Sequence, residues 1–405
     1  MLPRHPDTYS PEELEQWIRH LVDQQVPEGK RLDYKEEPNL SPEKGRREAA
    51  KDITSFANEV GGVILYGMPE KRTEKKEPIP DRPYGMDPVP GLESQLENIY
   101  VDTIRPNLGE YKIARVPLSE YEGKVVYLVW TPESWLGPHM VEAYGDHKYY
   151  RRGQFRAVEM AEHEVRDRYQ RIQRTGERLE KFLSSPEVNF PAPLFFDSPT
   201  CGSHYLVAPR MLYDRIDFTR VDTRGWLQMN LYPSAGEQWR PFSAGVRTRL
   251  RERVSSDAED GIIYRDFVQF FRNGALSHWS ETRTSVEEDD WLLIASVSEL
   301  EKVAEFLAYA GKVLDMVGYA GPVHVQGTIR SSKRELRLAS SGSRDEWPRL
   351  LAPDGAVRIT FEQPSRDLIT NSKTVLRRVA DEMFRAFERW SAAALFDEEG
   401  NLRFR

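Results

Sequence analysis

Apolar positions along the chain alternate between two periods. Ala49, Ala50, Ile53, Phe56, Ala57 and Val60 fall on one face of a 3.6-residue repeat and predict a helix starting at Ser41-Pro42. Gly61-Gly62 stops it, and Val63-Ile64-Leu65-Tyr66-Gly67 follows as a buried strand. Upstream, Ser10-Pro11-Glu12-Glu13 is a helix start, with a serine cap, proline at the first helical position and Glu13 completing a capping box. Trp17, Leu21 and Val22 give that helix an apolar face, and it should end near Val26-Pro27-Glu28-Gly29. Arg31 to Glu36 reads as a short strand, Leu92 to Ile104 as a helix, and Glu110 to Pro117 and Lys124 to Thr131 as strands. Residues 69–91, rich in Pro, Lys and Glu, read as a loop, and 132–148 as irregular chain before a brief strand at Tyr149 to Gly153. Val158 to Leu183 is polar all round and predicts a connector helix with little core to join.

Four prolines in 184–200 mark a boundary. Beyond it, strands are expected at His204 to Ala208, Gly225 to Leu231, Ile262 to Phe271, Trp291 to Val297, Val323 to Ile329, Glu335 to Leu338 and Ala356 to Phe361. Helices are expected from Ser298 to Val317 and from Lys373 to Trp390. The expected architecture is α+β throughout: an N-terminal α/β domain over 1–157, a connector helix over 158–184, and a second α+β domain over 190–405.

The length of 405 residues favours two domains. A single cysteine, Cys201, rules out an intrachain disulfide and a Cys-rich zinc site. No run of about 18 apolar residues is present, so no membrane span is expected, and the N-terminus lacks the apolar core of a secretory signal; the cytoplasm is the expected location. The net charge is −8. Residues 1–170 carry 24 Lys and Arg against 31 Asp and Glu, a balance of −7. That argues against binding that rests on neutralising many phosphates, so any nucleic-acid contact must use local basic patches or a metal ion among acidic ligands.

Phosphate-loop, GxGxxG, HExxH and G-x-S-x-G patterns are all missing. What remains is a constellation in the first half. Glu28-Gly29-Lys30-Arg31-Leu32-Asp33-Tyr34-Lys35 sets two carboxylates five apart and ends on a lysine. Phe56-Ala57-Asn58-Glu59-Val60-Gly61-Gly62 ends a helix and turns into a strand, and Glu70 follows that strand. Pro138-His139 and Arg151-Arg152-Gly153 come later. Residues five apart on a regular strand point to opposite faces, so Glu28 joins Asp33 only if the chain bends between them, which Gly29 permits.

This order, over about residues 12–170, resembles the Schlafen AlbA-like domain: an E-x4-E-F-K segment, an A-F-A-N-x-x-G-G helix end, an acidic residue past the next strand, a P-H segment and an R-x-G turn. The resemblance implies nucleic acid as partner, RNA before DNA. In members with nuclease activity, three carboxylates bind a divalent metal and cut RNA, notably transfer RNA. Carried over by position, the metal-binding and catalytic acids are Glu28, Asp33 and Glu70, with Mg or Mn as cofactor, and Lys35 as the countercharge to a phosphate. Departures are Asp33 where glutamate is usual, Glu70 where aspartate is usual, Tyr34 for phenylalanine, and Met68-Pro69 before Glu70. Clustered carboxylates holding such an ion supply both charge neutralisation and an activated water.

For nucleic-acid contact the candidates are Tyr149, Tyr150, Arg151, Arg152 and Arg156, a basic-aromatic patch suited to phosphates and exposed bases, and Lys71, Arg72, Lys75 and Lys76 in the loop after Glu70. His139 reads as a packed histidine before a general acid, and Asn58 as a structural residue at the glycine turn. Competing readings are a non-catalytic nucleic-acid-binding regulator with a C-terminal sensor domain, and a subunit of a bacterial defence assembly that meets a partner protein through 190–405. Since the two-lobed animal Schlafens carry two such lobes in one chain, a homodimer is a further expectation.

Overall fold

The computed structural model describes residues 5–74, 76–143, 145–186, 188, 200–212, 240–242, 244–247, 251–254, 263–283, 291–294, 296–331, 335–338, 356–387 and 391–402. Lys75 and the expected strand Gly225 to Leu231 lie outside them. The chain divides into two units, Met1–Gly176 and Glu177–Arg405. The division falls within the long helix rather than in the proline-rich stretch behind it.

In the first unit, helix α1 (Pro11–Asp23) carries the capping box read from the sequence, with Ser10 N–H donating to Glu13 Oε2 at 2.7 Å. Strand β1 (Leu32–Lys35) is followed by α2 (Glu43–Ala57), β2 (Gly62–Tyr66), and a short hairpin of β3 (Glu70–Arg72) and β4 (Pro78–Pro80). Next come α3 (Leu92–Thr103), β5 (Ile104–Arg105), β6 (Lys112–Pro117), β7 (Val125–Thr131), β8 (Met140–Ala143), β9 (Asp146–Arg152), β10 (Ala157–Glu159) and α4 (Glu162–Leu183). Two four-stranded sheets result, ordered β1-β2-β7-β6 and β10-β9-β8-β5. β1 runs parallel to β2; β7 and β6 are antiparallel.

The core joins the two sheets through α2 and α3. Ala49, Ala50, Ile53 and Phe56 of α2 pack with Ile64, Tyr127 and Val129 of the first sheet and with Val141 and Tyr150 of the second. Two glycines make the entry to β2. Gly61 takes φ +70°, and a Cβ on Gly62 would lie 2.2 Å from the Phe56 ring; no other residue fits both demands.

Three local expectations are corrected. Residues 69–91 are not a bare loop, because β3 and β4 pair through it. Residues 132–148 are not irregular, because Met140–Ala143 pairs with the start of β9. Val158 is in a strand paired with β9 rather than in the long helix. The polar helix α4 does take part in packing: Arg168 is 8% exposed and Leu179 7%, a long stem and one leucine sufficing where periodicity gives no stripe.

In the second unit, β11 (Thr200–Pro209), β12 (Arg240–Phe242), β13 (Gly245–Arg247), β14 (Arg251–Val254), β15 (Ile263–Phe271), β16 (Leu276–Arg283), β17 (Trp291–Ile294), α5 (Ser296–Met316), β18 (Pro322–Ser331), β19 (Glu335–Leu338), β20 (Ala356–Pro364), α6 (Asp367–Thr370) and α7 (Ser372–Arg385) follow in order. An eight-stranded sheet runs β12-β13-β15-β16-β11-β18-β20, with β14 on β15. Its central strands are antiparallel, and α5 and α7 cover one face. Residues 271–275 form the β15–β16 hairpin, with Phe271 N–H donating to Ala275 O at 2.8 Å. Among the described residues, no helix is long and apolar enough to cross a membrane.

Candidate acidic site and nucleic-acid surface

The bend anticipated between Glu28 and Asp33 is present. Gly29 N–H donates to Leu32 O at 3.0 Å and Leu32 N–H returns to Gly29 O at 3.4 Å. The reversal turns Glu28 back over β1, where its Oε1 accepts the Tyr34 N–H at 2.7 Å. Glu28 N–H donates to Pro78 O at 2.9 Å, which ties the β3–β4 hairpin alongside.

Asp33, on β1, is 2% exposed. Its Oδ1 accepts from Arg152 Nη2 at 2.7 Å. Its Oδ2 is in ion-pair contact with Lys35 Nζ, though no well-directed hydrogen bond reaches it. Lys35 Nζ also lies 3.7 Å from Asp52 Oδ2. Asp52 is a buried acid of α2 that the sequence reading did not single out. The available signal was its position: it stands three residues after Ala49 and one before Ile53, a charge at the edge of an apolar stripe, where an unpaired carboxylate is costly.

Electrostatics follow from this crowding. Burial, and then the charge of Asp33, push Glu28 up to about 7; the Tyr34 N–H opposes this, and Glu70 adds to it. Burial raises Asp52 to about 6 against the pull of Lys35, with Asp33 adding to the rise. Burial disfavours the charge on Lys35, but Asp52 and Asp33 outweigh it and hold the ammonium protonated above its ordinary range. The site therefore combines a carboxyl poised near neutrality with a fixed, partly exposed cation, the kind of perturbation that marks functional clusters.

The structure brings together Glu28, Asp33 and Lys35. Glu70, exposed on β3, is close enough for its charge to act on Glu28. For a divalent ion the donor set is rich in charge but not convergent. Both Asp33 oxygens face cations, and among the described residues no three His, Cys, Asp or Glu side chains stand close enough to hold one ion. As arranged, the acids do not form a three-carboxylate cage.

The expected basic-aromatic patch is divided by strand alternation. Arg152 and Tyr150, 1% and 9% exposed, face inward; this corrects their placement on the surface. Tyr149 and Arg151 face the other way, Arg151 Nε meeting Glu164 Oε1 at 2.6 Å, and Arg156 is exposed in the turn before β10. Lys71 pairs with Asp81 at 2.8 Å; Arg72 and Lys76 are exposed. Tyr149 lines an open cleft of about 870 Å³ between β9, β10 and α4, together with Lys148, Arg166, Tyr169, Gln170 and Gln173. The Tyr149 and Tyr169 rings meet edge to face at 6.5 Å, and Tyr169 is 48% exposed. Those α4 residues were not foreseen, since a polar helix gives no periodic signal. His139 is packed as expected: one ring nitrogen is 2.7 Å from Pro106 O and the other 2.6 Å from Ser134 Oγ, and burial lowers its pKa. Asn58 is structural in a different way from capping alone, its amide bonding His139 N and O and Tyr150 O.

The family described as Schlafen, AlbA_2 matches residues 28–158, about a third of the chain, and these residues contain every element of the acidic site. Among solved structures, the N-terminal domain of a RecG-related protein from Nitrosomonas europaea, determined in solution by NMR, is 19% identical, with 38% of this chain and 92% of that chain covered and a TM-score of 0.26. No curated protein is matched. Residues 28–158 of this chain are thus similar to the Schlafen AlbA_2 domain, the family whose model they match.

Proposed function

We propose that the N-terminal unit acts on nucleic acid, RNA before DNA, and that its acidic site cleaves RNA phosphodiesters as an endoribonuclease. The family match supports the nucleic-acid part. The observation that carries the chemistry is Glu28, held near neutrality within a cluster whose lysine remains partly exposed, at 35%. A carboxyl near pH 7 is suited to taking a proton from an attacking hydroxyl, and an ammonium beside it neutralises charge that develops on the phosphoryl oxygens. Asp33 and Asp52 hold that ammonium in place. RNA is favoured because its 2′-hydroxyl is a nucleophile and a recognition handle that DNA lacks. Tyr149 and Tyr169 offer stacking edges for an unpaired base in the cleft, and Arg151, Arg156, Arg72 and Lys76 are the cations placed to meet phosphates.

A second reading is the same cleavage with Mg or Mn held by Glu28, Asp33 and Glu70. It is favoured by the excess of acid: among the described residues Glu28, Asp33, Asp52 and Glu70 stand near three cations, Lys35, Arg152 and Lys51, and a divalent ion relieves that excess. It requires Asp33 to exchange Lys35 for the ion, so no step is derived through it.

The deciding experiment follows a labelled transfer RNA pool and a single-stranded RNA with the full chain, with Glu28→Gln and Asp33→Asn beside it, in EDTA and in Mn²⁺, and with a low-salt gel shift on the same samples. Cleavage slowed roughly a hundredfold or more by Glu28→Gln supports the reading. Its survival in EDTA with 2′,3′-cyclic phosphate ends favours the acid-base form, and its dependence on Mn²⁺ favours the metal form. Binding without cleavage makes the domain a recognition module, and no binding at low salt, where phosphate contacts are strongest, overturns both.

A further inference from the structure

Arg152 ends β9, far in sequence from the acidic site, yet its guanidinium is fitted into the turn that builds that site. Nη2 donates to Asp33 Oδ1 at 2.7 Å and to Leu32 O at 3.3 Å. Nε donates to Gly29 O at 3.3 Å. The plane lies over the Phe56 ring, 4.6 Å from its centroid. Gly29 O and Leu32 O are the two carbonyls that already close the turn through each other's N–H, so one planar fork ties both ends of the reversal to the Asp33 carboxylate.

That reversal decides where Glu28 goes. Along an extended strand, five residues span roughly 17 Å, and Glu28 would lie far from Asp33 on the opposite face. Here its carboxylate instead reaches the Tyr34 N–H and feels the charge of Asp33. Arginine is the residue the arrangement asks for. Three acceptors in different directions are met by a rigid fork with five donors, whereas a lysine offers a point charge on a flexible stem. The same guanidinium stacks on Phe56, the residue against which Gly62 packs, so the glycine turn, the acidic bend and β9 are fixed to one another at this point.

We propose that Arg152 is a positioning residue of the acidic site: it holds the Gly29–Leu32 turn closed and thereby sets Glu28 beside Asp33. The chemical consequence rests on the nuclease reading above; the structural claim does not.

The test uses the full chain with Arg152→Lys, Glu28→Gln and the double variant. Hydrogen exchange is followed over residues 28–35 and, as reference, over β2 and β7. RNA cleavage is measured at saturating and limiting substrate. Arg152→Lys is expected to raise exchange at the Gly29, Leu32 and Tyr34 amides at least tenfold while the reference strands stay protected, and to lower kcat at least tenfold with little change in KM. In the double variant, cleavage is expected to be no slower than in Glu28→Gln alone, because the two residues act as one unit. Unchanged exchange at residues 29–34 overturns the proposal, and so do effects on cleavage that simply multiply. If no RNA activity exists in wild type, the nuclease reading falls while the exchange result still decides this one. Should Arg152→Lys fail to fold, Asp33→Asn removes the guanidinium's anionic partner without changing shape; the same selective opening of the turn is expected, and its absence overturns the proposal.

Discussion

In the N-terminal unit one set of ionisable groups meets: buried Glu28, Asp33, Asp52 and Arg152 stand with half-buried Lys35, drawn from β1, α2, β9 and the bend before β1. In the C-terminal unit two histidines lie within the large sheet instead. His204 and His278 occupy neighbouring strands in the large sheet, opposite Trp279 and Tyr205 respectively, and so point to opposite faces. His278 lies against Phe306, with ring centroids 5.8 Å apart. Burial pushes His278 down to about 3 and His204 down to about 4, so both are neutral. A network of opposed charges keeps some groups ionised inside the protein and leaves one near its titration point, which serves chemistry. Buried histidines that face positive charge, His278 towards Lys302 and His204 towards Arg330, give up their own charge, which serves packing. This contrast separates a site from a core.

The contrast has a pH signature. A carboxyl raised on folding binds more protons in the native state, so Glu28 and Asp52 withdraw stability as pH rises from about 4 to about 7. A histidine lowered on folding does the reverse: its contribution is present above pH 6.5 and is lost as pH falls towards its folded value. His139, lowered in the first unit, acts in the histidine sense, so variant differences rather than whole-chain curves isolate each group.

The largest effect should come from breaking the network. Asp33→Ala leaves Arg152 and Lys35 without their shared anion and should cost roughly 3–5 kcal/mol in denaturant unfolding; a loss under about 1 kcal/mol would mean the cluster is solvated. Next, His278→Leu should remove part of the acid sensitivity of the C-terminal unit. The stability gap between it and wild type should shift by roughly 3 kcal/mol in the variant's favour between pH 7 and pH 4, and a constant gap would show that His278 is not buried neutral. Third, Glu28→Gln in metal-free buffer should be more stable than wild type by on the order of 2 kcal/mol at pH 8, converging with it near pH 4. Fourth, Tyr169→Ala should weaken binding of single-stranded RNA by about 1 kcal/mol through lost stacking, read by gel shift at fixed salt, without altering unfolding. Smallest, Lys71→Ala breaks an exposed ion pair with Asp81 and should change stability by less than about 1 kcal/mol, which calibrates the network against the surface.

Much of this protein was legible along the chain. The capping box at Ser10, the apolar stripe of α2 and the paired glycines before β2 rest on contacts between near neighbours, and near neighbours are what periodicity records. The need for a bend at Gly29 followed from strand geometry alone. The short strands β3, β4 and β8 were missed because three or four residues hold no period, and their pairing partners supply what stabilises them.

What the sequence itself determined is most of the longer elements, the α+β character and the acidic segment from Glu28 to Lys35, because backbone preference and side-chain alternation are local. What only the tertiary structure decided is which side of β9 is inside. Tyr149 and Tyr150, or Arg151 and Arg152, are indistinguishable in composition; packing against Phe56 and Asn58, some 90 residues earlier, sends Tyr150 and Arg152 inward and leaves Tyr149 at the cleft. The same long-range packing makes Asp52 part of the site and turns Arg152 from a surface cation into the clamp of an acidic turn, since the free energy of burying a charge depends on the partner it meets there, and that partner is supplied by another part of the chain.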